Sequence, residues 1–214
     1  MRSDPTGSAL AGPEPTRPRP LALAITGGIG AGKSTALESF RRHGAATVSS
    51  DEIVHHLLKS DPDVKHALVE RFGEEILGED GAPDRQRIAV RVFRDRTALD
   101  WLEKLLHPLV SREYLLWREQ LAVLDDPPAV CVTEVPLLYE SAGETRFDRV
   151  VVITAPRQLR EQRRQVPLDN RDDRLIDDAE KVARADYHYV NTGSFEDLDA
   201  WVAGLMTELA NDAS

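Results

Sequence analysis

The sequence predicts an α/β fold of three layers, with helices on both faces of a mostly parallel five-stranded sheet. Three observations carry that expectation. Five short runs, 21–26, 46–49, 129–134, 149–154 and 187–190, are mostly dense in Val, Ile and Ala and alternate little, as strands covered on both faces require. Stretches with apolar residues at helical spacing separate them. A glycine-rich segment lies between the first strand pattern and the first helix pattern. At 214 residues the chain is long enough to bury a full core, as one domain or as one domain with an inserted lobe.

In chain order, residues 1–20 hold five of the 13 prolines and almost no apolar periodicity, so they read as a disordered extension before a domain at 21–209. They lack the uninterrupted apolar segment of a secretory signal. The first strand runs into Gly27-Gly28-Ile29-Gly30-Ala31-Gly32-Lys33-Ser34, which fits G-x-x-x-x-G-K-[ST]. A loop of this kind wraps backbone N–H groups around the β-phosphate of a nucleotide, and glycine serves where a Cβ would block the approach or φ must be positive. Lys33 would reach the β- and γ-phosphates, and the Ser34 hydroxyl would sit on Mg²⁺. Residues 35–43 follow with Ala36, Leu37 and Phe40 at helical spacing. A bare glycine turn would need neither flank, so the segment reads as the phosphate loop of a phosphate-loop NTPase fold, with its site at the carboxyl ends of the strands.

After the second strand comes Asp51, in Val48-Ser49-Ser50-Asp51-Glu52. Two readings stay open: a carboxylate that faces the phosphate loop, orients an acceptor hydroxyl and helps hold Mg²⁺, or a helix cap supplied by Ser50 or Asp51. Residues 52–124 are helical in pattern and too long for one crossover, so part of them forms a lobe beside the sheet. Glu134 ends the third strand, where an acidic residue meets Mg²⁺ through water in many phosphate-loop proteins. An ordinary polar strand end is the alternative. Residues 156–184 read as a lid region.

The balance is acidic, 37 Asp and Glu against 27 Lys and Arg, which argues against general attraction to nucleic acid or anionic membrane. No apolar stretch nears the roughly 20 residues needed to span a bilayer. The single Cys131 permits no intrachain disulfide and fits a reducing, cytoplasmic setting; its apolar neighbours suggest a buried structural thiol. No Asn-Lys-x-Asp tetrapeptide occurs, which counts against a guanine-reading switch.

Longer stretches narrow the reading. Ile25-Thr26-Gly27-Gly28-Ile29-Gly30 with Gly32-Lys33-Ser34-Thr35, Asp51-Glu52-Ile53, Asp80-Gly81 with Asp84-Arg85, Leu106-His107-Pro108-Leu109, Val135-Pro136-Leu137-Leu138-Tyr139-Glu140 and Asn191-Thr192-Gly193-Ser194 follow in this order. From about Leu21 to Val202 the chain resembles dephospho-coenzyme A kinase. The resemblance implies transfer of the ATP γ-phosphoryl group to the ribose 3′-hydroxyl of dephospho-coenzyme A, giving coenzyme A and ADP. It implies a small-molecule acceptor and no obligate protein partner. Gly28 to Thr35 would bind the nucleotide and Asn191 would lie beside its adenine. Asp51 would align the acceptor hydroxyl and take its proton. Arg85, His107 and Arg112 would hold the acceptor's phosphates or adenine, and Leu137 its wall. Ser34 and Glu134 would hold Mg²⁺, and the lid would supply Arg163 and Arg171 to the γ-phosphate.

The chain departs from that pattern twice. Family members carry two aspartates bracketing a small residue after the second strand, whereas here the first is Ser49. The lid is several residues short, and Leu175 stands where the pattern has glutamine. Two other readings therefore stay open: a phosphate-loop kinase for another small hydroxyl-bearing acceptor, and a nucleotide-binding protein that has lost transfer. The lid arginines also have a second reading as a solvated helix face, since aspartates interleave them.

Overall fold

The computed structural model describes residues 19–93, 95–163 and 176–212. Within them β1 (Leu21–Thr26), β2 (Ala46–Ser49), β3 (Val130–Glu134), β4 (Arg149–Thr154) and β5 (Tyr187–Val190) form one sheet. Their spatial order is β2-β3-β1-β4-β5 and every pairing is parallel. The edge strands β2 and β5 are four residues each, which keeps the unpaired edges short. Ile25 pairs with Glu134, and Glu134 with Ser49. The segments that leave β1, β2 and β3 therefore open on one rim of the sheet, the rim where such sheets place ligands.

Successive strand residues point to opposite faces, and both faces are covered. Leu23, Ile25, Val132, Val151 and Ile153 pack with Phe40 of α1 (Lys33–Arg42) and Leu198 and Val202 of α8 (Phe195–Asp212). Ala24, Val150 and Val152 pack on the other side with Leu138 and Tyr139, and with Val182 of α7 (Asp178–Ala183). Cys131 is buried in this sandwich, and burial pushes its thiol up to about 11, as a structural thiol requires.

The inserted lobe consists of α2 (Ser50–Ser60), α3 (Pro62–Phe72), α4 (Arg85–Phe93) and α5 (Arg96–Ala122). It has its own apolar core, including Leu58, Val64, Leu68, Ile76, Ile88 and Leu106. A smaller cluster joins it to the sheet, where Ile53, Leu57 and Tyr114 meet Val48 and Phe147. The helices begin two residues before the expected start at 52, because the cap is neither Ser50 nor Asp51 but Ser49. Its hydroxyl accepts from Glu52 N at 3.0 Å while the Glu52 carboxylate accepts from Ser49 N at 2.8 Å, a reciprocal cap. Asp51 consequently stands in the first turn of α2.

Pro108 lies inside α5. Its missing N–H costs the carbonyl of Lys104 a helical partner. Leu106 and Leu109 beside it pack on the lobe core, and α5 runs on unbroken. The short α6 (Arg157–Arg163) follows β4. Arg171 and Leu175 fall outside the described residues.

Candidate active site

The phosphate loop leaves β1 at Gly27 and ends in α1. Gly27 has φ 142°, and a Cβ there would sit 2.0 Å from the Ile153 carbonyl oxygen of β4, so no side chain fits. Gly32 has φ 97°, and its Cβ would lie 2.2 Å from Asn191 Nδ2. Asn191 is buried just past β5; its Nδ2 donates to Ala31 O at 2.9 Å and its Oδ1 accepts from Gly193 N at 3.0 Å. Expected beside the donor base, this residue is placed against the backbone of the phosphate loop. Helix α6 covers the loop from outside. Arg163 donates to Gly30 O and to Asn191 Oδ1, each at 3.4 Å, so this lid arginine stands at the loop.

Charge is concentrated at the base of the loop. Lys33 is buried and its Nζ donates to Gly28 O at 3.1 Å. Burial lowers its pKa, and the Glu134 carboxylate opposes that lowering. Glu134, also buried, has its pKa raised by burial against the pull of Lys33 and Ser34. Ser34 Oγ donates to Glu134 Oε2 at 3.2 Å. Ser50 Oγ donates to the Glu134 carbonyl at 2.9 Å, which ties the start of the lobe to the end of β3. A buried carboxylate beside a hydroxyl fits a hard cation such as Mg²⁺, which uses one or two protein oxygens and takes the rest from phosphates and water. Ile29 and Thr35 are exposed, Ile29 at the wall of the adjoining cavity.

Two adjoining cavities lie between the loop and the lobe. One, of about 540 Å³, lies between α2, α5 and the segment after β3, with Asp51, Tyr114 and Phe147 on its wall. The other, of about 680 Å³, reaches the loop at Gly27, Ile29 and Lys33. Glu103, His107, Pro136, Leu137 and Ser141 line both, so a continuous groove runs from Lys33 into the lobe. His107 and Leu137 thus stand where the two halves join.

Asp51 sits on the lobe side of the groove, and its Oδ1 accepts from Arg85 Nη2 at 3.4 Å. Its charge also opposes the lowering of the Lys33 pKa. Arg85, the first residue of α4, meets the groove through this pair. Arg112 lines neither cavity and pairs with Glu113 at 3.3 Å. Ser111 takes the lining position instead, because neighbouring helix residues are turned about 100° from one another. The segment 135–139 acts both as wall and as core: Val135, Pro136, Leu137 and Leu138 line the groove, and Leu138 and Tyr139 are buried against the sheet.

Two pairs escaped the sequence. Glu140 lines the groove and accepts from Ile176 N at 3.1 Å, and its Oε1 lies 2.7 Å from Nζ of the fully buried Lys181. Arg160 of α6 pairs with Asp178 at 3.0 Å, above Gly28, whose Cβ would lie 2.3 Å from Arg160 Nη1. A lone lysine in an acidic helix and one arginine among several carry no signal of such pairing.

Among the described residues no helix is long and apolar enough to cross a membrane. A family model described as dephospho-CoA kinase matches residues 21–197. The dephospho-CoA kinase of Protochlamydia amoebophila is 36% identical over 194 residues, covering 87% of this chain and 95% of the relative. That of Syntrophotalea carbinolica is 36% identical over 197 residues, covering 88% and 92%. A crystal structure of a Thermus thermophilus protein superposes with a TM-score of 0.69 at 31% identity, covering 89% of this chain and 98% of that one. The dephospho-CoA kinase from Campylobacter jejuni superposes with a TM-score of 0.64 at 26% identity, covering 89% and 97%. The fold, the phosphate loop and these likenesses agree, and the chain belongs to the dephospho-CoA kinase family.

Proposed function

We propose that this chain transfers the γ-phosphoryl group of ATP to the ribose 3′-hydroxyl of dephospho-CoA, giving coenzyme A and ADP. The observation that carries the reading is the continuous groove joining Lys33 at the phosphate loop to Asp51 at the lobe. Donor and acceptor are thereby held on one path. Transfer of this kind passes through a loose transition state, so positioning and charge stabilisation do most of the work. The amides of Gly28 to Gly32 and the ammonium of Lys33 hold the donor phosphates. Buried as it is, Lys33 acts in a medium of low polarity, where its charge counts for more than in water.

Ser34 and Glu134 would hold Mg²⁺. When bound, the ion neutralises charge on the β- and γ-phosphate oxygens. Asp51 aligns the acceptor hydroxyl and takes its proton as the new bond forms. A carboxylate is a weak base, and a loose transition state asks little proton removal before bond breaking. Arg85 holds Asp51 and meets the acceptor beside it. His107 and Leu137 shape the junction, and Arg163 serves the γ-phosphate from the lid side of the loop; the role expected of Arg171 from the sequence is the same. Asn191 keeps the loop in shape.

Residues 21–209 carry the whole activity in this reading, with 52–124 as acceptor lobe and 156–184 as lid. The first 20 residues are dispensable to it; the Arg19–Asp148 pair lost with them is exposed and worth little. A cytoplasmic setting accords with the buried lone thiol. The test is phosphorus NMR and mass analysis of the product formed from Mg-ATP and dephospho-CoA. A new phosphomonoester on the 3′-carbon supports the reading. Phosphorylation elsewhere, or ATP binding with no phosphorylated product, refutes it.

A further inference from the structure

The lobe half of the groove must take an acceptor that is an anion, yet its wall is poor in positive charge. Its lining carries the carboxylates of Asp51 and Glu103, the imidazole of His107, the phenol of Tyr114 and one fixed cation, Arg146. Neighbouring guanidiniums are engaged: Arg85 by Asp51, Arg112 by Glu113, Arg118 by Asp148 and Arg184 by Glu144. Arg146 meets no carboxylate among the described residues. Its charge is available to a ligand.

The residue is also held in place. It ends the 3₁₀ turn Glu144–Arg146, and its carbonyl accepts from Arg118 Nη1 at 2.8 Å. The next residue, Phe147, stacks on Tyr114 of α5 with ring centroids 5.3 Å apart. The side chain folds over the buried Gly143, where a Cβ would come within 3.3 Å of Arg146 Nη1. A guanidinium on a fixed backbone loses little freedom on binding, and its planar fork matches phosphate oxygens.

Resting on the reading of the site as one for dephospho-CoA, we propose that Arg146 is the anion anchor of the acceptor, its guanidinium taking the diphosphate that links the adenosine to the rest of that molecule. The ribose hydroxyl then lies toward Asp51 and the phosphate loop, and the charged arm lies toward the outer wall of the lobe cavity. Arg146 sets acceptor affinity and takes no part in donor binding.

The test measures KM for dephospho-CoA and for Mg-ATP in the unaltered full chain, in Arg146→Gln and in Arg146→Lys, with unfolding midpoints alongside. Arg146→Gln raises the acceptor KM about tenfold or more, the scale of a hydrogen bond to a charged group. The KM for Mg-ATP stays within about twofold, as does stability for an exposed site. The salt dependence of the acceptor KM flattens in Arg146→Gln, and Arg146→Lys recovers part of the affinity. An unchanged acceptor KM, an unchanged salt slope, or a parallel rise in the KM for Mg-ATP overturns the inference alone. Absence of acceptor-dependent turnover in the unaltered chain overturns the proposed function and this inference with it.

Discussion

Ser34 Oγ donates to Glu134 Oε2 across 3.2 Å, so the first turn of α1 and the end of β3 share one oxygen-rich point beside the phosphate loop. The pair is specified from two distant places in the chain. Parallel register sets Glu134 beside Ile25, one residue before β1 ends, and the loop then returns Ser34 to the same rim.

A pH dependence follows. Burial raises the Glu134 pKa above its ordinary value, near 4.5, and only its charged form holds a cation. Protons therefore compete with Mg-ATP at a higher pH than an exposed glutamate would allow. The KM for Mg-ATP should rise on acidification from a point above the ordinary glutamate range. In Glu134→Gln that KM should be high throughout and its acid limb lost. A titration of KM against pH checks both.

Asn191 is expected to govern the donor side through the loop. Asn191→Ala leaves the Ala31 carbonyl and the Gly193 amide without their partner, and opens space beside Gly32. Leaving the buried Ala31 carbonyl without this donor costs about 1–3 kcal/mol, so ATP affinity should fall roughly tenfold. Acceptor affinity should hold. Calorimetric titration with ATP and with dephospho-CoA separates the two.

Ser49 is expected to be a matter of helix stability. Ser49→Ala opens the reciprocal cap with Glu52 and should cost about 1 kcal/mol of unfolding free energy. Ser49→Asp keeps a side chain that caps equally well and should leave stability within about 0.5 kcal/mol. Chemical denaturation of the three proteins decides it.

The parts legible in the sequence were those written locally. β1, β2, β4 and β5 have the bounds expected of them; in β1 and β4 this is because strands buried on both faces are dense in small and branched apolar residues. The phosphate loop was legible from its glycines, and Glu134 from its place at a strand end. What was hidden depends on residues far apart. Asn191 and Ala31 are 160 positions distant, and nothing in Asn191-Thr192-Gly193 announces a brace for another loop. Arg112 and Ser111 are adjacent, and only the phase of α5 decides which one lines the groove. Pro108 stands in a helix interior that its own chemistry disfavours, and the packing of its neighbours overrides that preference.

The central claim is that Lys33 and Asp51 serve one groove in different ways, the first on the donor and the second on the acceptor hydroxyl. The direct test is a coupled assay of ADP release with Mg-ATP, with and without dephospho-CoA, run on the unaltered chain, Lys33→Ala and Asp51→Asn. The account predicts acceptor-dependent release that disappears in Lys33→Ala. In Asp51→Asn it should fall on the order of 100-fold or more with ATP binding unchanged, the scale of a lost general base. Release that does not depend on dephospho-CoA, or an Asp51→Asn protein that loses ATP affinity as fast as turnover, would contradict it.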